Sequence, residues 1–423
     1  MAVGGKANEE HERQNPGHAD KNARALDFGK PRVLHFDATD RLFRRPCSRI
    51  IDQPEHAKGK QMDAAFDLIV SRDGLNPRIS AEPMPDLQPG QVRLRIAHFA
   101  LTANNITYGV AADQLGYWDF FPTTDQSEGR IPVWGFAEVV ASLHSGIDEG
   151  SRVYGYLPMS QFVDVEPANV SAAGFVDGSA HRAERAPIYN HYSFCDADPL
   201  WRAEDEALIA LYRPLFTTSF LLEDLHRDNG YFGATQLVIA SASSKTALGL
   251  AQLASEDAPE NVSVVGLTSP GNAAFCDSLG CYDRVVPYDA VSSLAAEVSA
   301  FVDMAGNADV RSAVHTHLGD KLVRSTAVGM THWKASTGLS GADLPGAKTS
   351  FFFAPSYAQD RLKLWGRDGF QARYGKAWER FRPFAQRNTN VERHSGPQEM
   401  QRVFSLMRDG QIDPAKGIIL SPT

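Results

Sequence analysis

The chain has 423 residues, enough for two domains that each bury a proper core. Its 43% hydrophobic and 22% charged residues are ordinary for a soluble globular protein, and a net charge of −9 argues against a general polyanion-binding surface. No apolar run reaches the roughly 18 residues that a membrane span needs, so a cytoplasmic protein with neither membrane nor nucleic-acid partner is expected.

The first 61 residues are dominated by Gly, Asn, His, Pro and charged side chains, with almost no periodicity, and read as a disordered extension. Met62 directly precedes the first strand-like run, Asp63–Val70, so a functional tail and a start at Met62 stand as alternatives. The four cysteines, Cys47, Cys195, Cys276 and Cys281, include no Cys-x-x-Cys pair. They read as buried thiols in a reducing compartment rather than a disulfide framework or a zinc site.

From Phe66 to about Pro167 the pattern is of short strands. Gln91–Ala97 alternates polar and apolar after the turn at Pro89-Gly90, and Trp134–Ser142 and Ser151–Tyr156 flank a turn-rich connection. Residues 170 to about 205 lack periodicity and carry His181, Tyr189, Asn190, His191 and Tyr192, which reads as functional cover. Leu211–Asp228 has helical spacing. Strand and helix patterns then alternate from Gln236–Ala240 to Ser350–Ala354, which indicates a parallel sheet with helices on both faces. Asp360–Asp409 reads as helical, and Gly417–Leu420 as a last strand.

Within this order Ala234–Ala254 stands out. Gln236–Ala240 is a β-branched apolar run, Thr246–Ala254 is rich in Ala and Leu without Pro, and small hydroxylated residues with one Lys lie between. A strand, a tight turn and a helix N-terminus present unpaired amides and a favourable dipole to an anion. Ser241, Ser243, Ser244, Lys245 and Thr246 are therefore candidate ligands for a cofactor pyrophosphate.

The order of parts from Phe66 to Pro422 resembles the medium-chain dehydrogenase/reductase superfamily, in its zinc-free quinone-oxidoreductase-like branch. The likeness is carried by Gln91–Tyr108, Ile131–Tyr156, Arg213–Ser219, Cys276–Val286 and Gly410–Leu420. More narrowly, Thr102–Tyr108 and Ser243–Thr246 resemble a bacterial family of unknown function. The resemblance implies an α/β protein with a Rossmann-type parallel-sheet domain, residues 208–345, inserted in a β-rich GroES-like barrel domain, residues 62–207 plus 346–423. Its glycine positions in the nucleotide turn fall at Ser241, Ser244 and Ala247, and Ser151 replaces the Asp of a Gly-Asp-Arg-Val-type turn.

After the second parallel strand, Gly266–Pro270 contains no acid to hold the ribose hydroxyls of NAD. Thr268 and Ser269 are expected on a 2′-phosphate, so NADP is preferred over NAD. Gly329, with His332 and Trp333, and Phe353 follow strand ends, where ligands of such sheets bind. Phe353 is expected beside the nicotinamide, while a lone His such as His332 is more often a structural donor.

Gly135-Phe136-Ala137 stands where zinc-dependent relatives carry Gly-His-Glu, and no His-Glu-x-x-His occurs, so no metal is expected. Gly-x-Ser-x-Gly is absent, and Lys245-Thr246, which resembles the end of a phosphate loop, lacks the preceding Gly-x-x-x-x-Gly. Hydride transfer then needs a proton donor. The resemblance implies an active-site Asn at Asn104 and a proton-donating Tyr at Tyr117, with Asn105 and Tyr108 nearby. Two function classes stay open. One is an NADP(H)-dependent reductase of an activated C=C or quinone-type small molecule, with a homodimer compatible. The other is a non-catalytic or repurposed ligand-binding protein of the same fold.

Overall fold

The computed structural model describes residues 65–304, 306–328 and 344–423, all within one compact unit, Lys60–Thr423. The expected extension, residues 1–61, lies outside the described residues.

The first strands are β1 (Ala65–Ser71), β2 (Pro77–Glu82) and β3 (Val92–Leu101), followed by the short helices α1 (Ala103–Val110) and α2 (Ala112–Leu115). Next come β4 (Glu128–Gly129), β5 (Pro132–Ser142), β6 (Arg152–Pro158), β7 (Phe162–Val165), β8 (Pro167–Ser171), β9 (Gly174–Asp177) and β10 (His191–Phe194). The stretch expected to be irregular cover thus supplies two strands, β9 and β10. They are only four residues each and lack alternation, so the sequence gives them no period to be read by.

Helix α3 (Glu206–Asp228) leads into β11 (Gln236–Ala240), α4 (Lys245–Asp257), β12 (Ser263–Thr268), α5 (Ala273–Ser278), β13 (Arg284–Pro287) and β14 (Ser299–Asp303). Then follow α6 (Ala308–Leu318), β15 (Leu322–Val328), β16 (Thr349–Phe352), α7 (Ala354–Asn388), β17 (Asn390–Ser395), α8 (Pro397–Arg408) and β18 (Lys416–Ser421). The tail expected to be helical is interrupted by β17, a half-exposed edge strand whose residues are mostly polar and so carry no apolar signal.

The six strands β13-β12-β11-β14-β15-β16 form one sheet, and every pairing in it is parallel. Numbered within the sheet this is the order 3-2-1-4-5-6 of dinucleotide-binding folds, with β11 first and central. All five β11 residues are buried, as a strand covered by helices on both faces requires. Each of Leu237, Val238 and Ile239 contributes about 1.5–3 kcal/mol by leaving water. The parallel sheet continues past residue 345, because its sixth strand is Thr349–Phe352.

The other strands build a nine-stranded sheet, β17-β18-β3-β5-β6-β10-β9-β8 with β7 also on β3, and a three-stranded sheet, β2-β1-β4. The chain is therefore α/β, with a parallel dinucleotide-type sheet set within a β-rich domain to which the C-terminal strands return. Helix α3 joins the two parts. Its buried face packs in one apolar cluster with α4, α7 and residues of the large β-sheet, including Phe136 and Tyr154.

Candidate functional site

The turn after β11 keeps the shape of a phosphate cradle without its glycines. Ser241 has φ +57°, the left-handed region where glycine is the usual occupant. Its amide donates to the Tyr288 hydroxyl at 3.0 Å, and its carbonyl accepts from Ser244 N at 2.8 Å, which closes the turn. Ser244 then caps α4, its hydroxyl accepting from Ala247 N at 3.3 Å. Among the described residues the amides of Lys245 and Thr246 have no acceptor. They are the orphan donors of a helix start. Ser243 Oγ accepts from Asn272 Nδ2 at 3.1 Å, tying the turn to the segment after β12.

These groups open onto a cavity of about 820 Å³, within the ~300–1,000 Å³ of small-ligand clefts. The cavity collects Asn104, Tyr108, Tyr117, Ser241, Ser243, Ser244, Lys245, Thr246 and Phe353, nine of the residues that the sequence singles out. Thr268 and Ser269 are not among its lining residues. Thr268 is 1% exposed and its hydroxyl is engaged with the Cys276 thiol, so it has no free face for a phosphate. Gly329, with His332 and Trp333, lies outside the described residues.

Lys245 takes an unexpected direction. Its ammonium donates to the Lys416 carbonyl at 2.9 Å and to the Pro414 carbonyl at 3.5 Å, on the C-terminal segment. Burial pulls its pKa down to about 8, opposed by the charge of Asp413. Asp413 and Lys416 also line the cavity, and Lys416 is paired with Glu392 at 2.9 Å. The final strand thus supplies part of the cavity wall, which no motif announces.

At the opposite wall Asn104 and Asn105 divide their roles. Asn105 Oδ1 accepts from Thr102 N and Oγ1 at 2.8 and 3.0 Å, and its Nδ2 donates to Pro132 O. It holds the start of α1 in place, while Asn104 lines the cavity. One turn later the Tyr108 and Tyr117 rings meet at 4.5 Å. Tyr117 follows Gly116, whose φ of +71° bends the chain between α2 and the Tyr117–Phe120 turn.

Tyr189 comes from the segment read as cover, and its hydroxyl lies 3.4 Å from that of Tyr117. It packs against Tyr156 at 4.8 Å and Phe120 at 5.4 Å. Burial raises the pKa of Tyr108, Tyr117 and Tyr189, so each remains a neutral hydrogen-bond donor at physiological pH. Tyr189 was visible as an aromatic in a long irregular stretch, but nothing in the sequence linked it to Tyr117.

Among the described residues no three His, Cys, Asp or Glu side chains are grouped to hold a metal ion. No described helix is long and apolar enough to cross a membrane.

A protein-family model described as "Protein of unknown function (DUF2855)" matches residues 99–413. A comparison with curated proteins finds no match. Among solved structures the chain is similar to a putative NADPH:quinone reductase from Mesorhizobium loti, at 13% identity and a TM-score of 0.56, covering 85% of this chain and 99% of that one. It is also similar to CurA from Vibrio vulnificus, at 14% identity and a TM-score of 0.53 with the same coverage. The complex of CurA with NADPH aligns at 14% identity and a TM-score of 0.50, again over 85% and 99% of the chains. At such identities the likeness shows the fold alone, a parallel-sheet domain joined to a β-rich one.

Proposed function

Because the chain belongs to the family described as "Protein of unknown function (DUF2855)", its chemistry has to be read from its own residues, and we propose a zinc-independent, NADP(H)-dependent oxidoreductase. Its substrate is an activated C=C or quinone-type small molecule. The observation that carries this reading is one continuous cavity joining an unpaired helix N-terminus to a set of neutral phenols. The CurA structure solved with NADPH shares the frame, which supports the choice of cofactor.

The residues present fit a dinucleotide. The free amides of Lys245 and Thr246, with the Ser243 and Ser244 hydroxyls, would hold the pyrophosphate. The absence of an acid in Gly266–Pro270 leaves room for a 2′-phosphate, with Ser269 beside it. When bound, the cofactor supplies a hydride. The protein's own part is to exclude water with an aromatic wall, to orient the acceptor with Asn104, and to supply a proton from Tyr117. The same reading makes the parallel-sheet domain run from about residue 208 through Phe352, places the protein in the cytoplasm and allows a homodimer.

A second reading has a specific observation in its favour. The Lys245 ammonium is already tied to two carbonyls, and the Asp413 carboxylate borders the same cavity. Both features suit a repurposed ligand-binding protein. Titrating purified protein with NADPH while following nicotinamide fluorescence separates the readings. Saturable enhancement at micromolar cofactor is expected, and its absence at high micromolar NADPH would sink the reductase.

A further inference from the structure

The two hydroxyls of Tyr117 and Tyr189 converge from segments 72 residues apart. Their rings cross edge to face, 84° at 6.0 Å, so the phenols meet at their tips rather than stacking. At 3.4 Å the pair is too far apart for a strong O–H···O bond, which has a usual length of about 2.7–2.8 Å. One hydroxyl donates to the other across this long contact, and Tyr189 is also in reach of Tyr108, so an incoming oxygen can exchange a weak bond for two shorter ones. Two donors at this spacing both reach a single oxygen placed about 2.7 Å from each. Both side chains line the cavity.

We propose that Tyr117 and Tyr189 form a two-phenol oxyanion site that receives the carbonyl oxygen of a conjugated acceptor. This inference rests on the reductase reading and narrows its substrate to enones and quinones, as against alkenes that lack a carbonyl. When hydride reaches the carbon conjugated to that carbonyl, the π pair shifts onto the oxygen. Two preorganised donors stabilise the resulting enolate or hydroquinone anion in a site shielded from water. The Tyr117 proton then passes to the oxygen, and the Tyr117 phenolate regains a proton from water that enters the cavity once product has left. Tyr189 is thus a catalytic residue in its own right, brought in by the segment between β9 and β10.

The probe is 4-nitrophenol, which places a phenolate oxygen where the substrate anion forms and needs no cofactor. Its visible absorbance reports both binding and ionisation. Wild-type protein is expected to bind the phenolate and lower the pH at which the bound ligand ionises. Tyr117→Phe and Tyr189→Phe, which keep their rings in the aromatic cluster, should each weaken phenolate binding about tenfold with unchanged melting temperature. Tyr154→Phe, a buried tyrosine outside the cavity lining, should change nothing. Tyr189→Phe binding as tightly as wild type would overturn the proposal. So would an unshifted ionisation of the ligand on wild-type protein, a measurement that needs no variant. NADPH titrated into the same samples distinguishes the two levels: phenolate binding without NADPH binding removes the reductase and leaves the oxyanion site standing.

Discussion

Lys245→Met tests how the nucleotide turn handles charge. In the structure the ammonium is held by the Lys416 and Pro414 carbonyls, and burial lowers its pKa from 10.5 to about 8. A fall of that size corresponds to about 3 kcal/mol at most by which the folded state disfavours the charged form. The side chain is half-buried, and methionine forfeits a carbonyl hydrogen bond worth about 1 kcal/mol. The variant is therefore expected to be about 1–2 kcal/mol more stable at neutral pH. In wild type the unfolded chain holds the extra proton between pH 8 and 10.5, so stability should climb with pH across that window, and Lys245→Met should lose the climb.

Cofactor binding should respond in the opposite sense. An anion near the ammonium favours its charged form and draws the pKa back up, so NADPH affinity should fall as pH rises above about 8. A charge-assisted contact of about 1.5–3 kcal/mol translates to a loss of roughly 10- to 150-fold in Lys245→Met at neutral pH, with a flat pH profile. Fluorescence titration of NADPH at several pH values measures both. Equal affinities for wild type and variant, or a wild-type profile that stays flat, would show that the lysine serves only to pin the C-terminal segment.

Four other substitutions, at three positions, bear on the same frame. Ser241→Gly should leave stability within about 1 kcal/mol of wild type, since relief of the left-handed conformation at φ +57° is offset by glycine's greater loss of chain entropy. Ser241→Val should cost about 2 kcal/mol or more in denaturant melts. Gly249→Ala should destabilise by about 1–3 kcal/mol despite alanine's better helix propensity, because its Cβ would lie 2.6 Å from Ser219 Oγ and 2.9 Å from Ser219 Cβ on α3. Glu223 has its pKa raised to about 7 by burial, against the pull of Arg227. Wild-type stability should consequently decline as pH rises from 4.5 to 7, by up to about 3 kcal/mol. Glu223→Gln should remove that decline in thermal melts run against pH.

The parallel sheet could be read from the sequence because most of its strands are short apolar runs between turn signals, and three of its connections hold the helices α4, α5 and α6. The edge of the large sheet could not. Among the described residues Asn390–Ser395 pairs with β18 alone, and much of its surface is in water, so it carries no apolar alternation to be read. Turn residues were legible by position, whereas side-chain direction was not. Lys245 has four rotatable bonds and can reach either a phosphate or the last strand, and only the packing of Lys416 and Pro414 decides. Thr268 failed for a different reason. As the last residue of a strand buried nearly throughout, it spends its hydroxyl inside the fold, on Cys276.

The missing glycines bear on the candidate site in a way that separates their roles. Glycine in such a turn permits a positive φ, lets a ligand approach the backbone, and lets the helix pack closely. Here the positive φ persists at Ser241, secured by the Tyr288 hydroxyl on its amide. Close packing persists too, through Ala247 at 0% exposure and Gly249 against Ser219 of α3. What changes is the surface offered to a ligand, which gains the hydroxyls of Ser243 and Ser244 and the reach of Lys245 while keeping the bare amides of the helix start. A cradle of this geometry with hydroxyls and bare amides on its surface suits an anion gripped by side chains as well as by backbone.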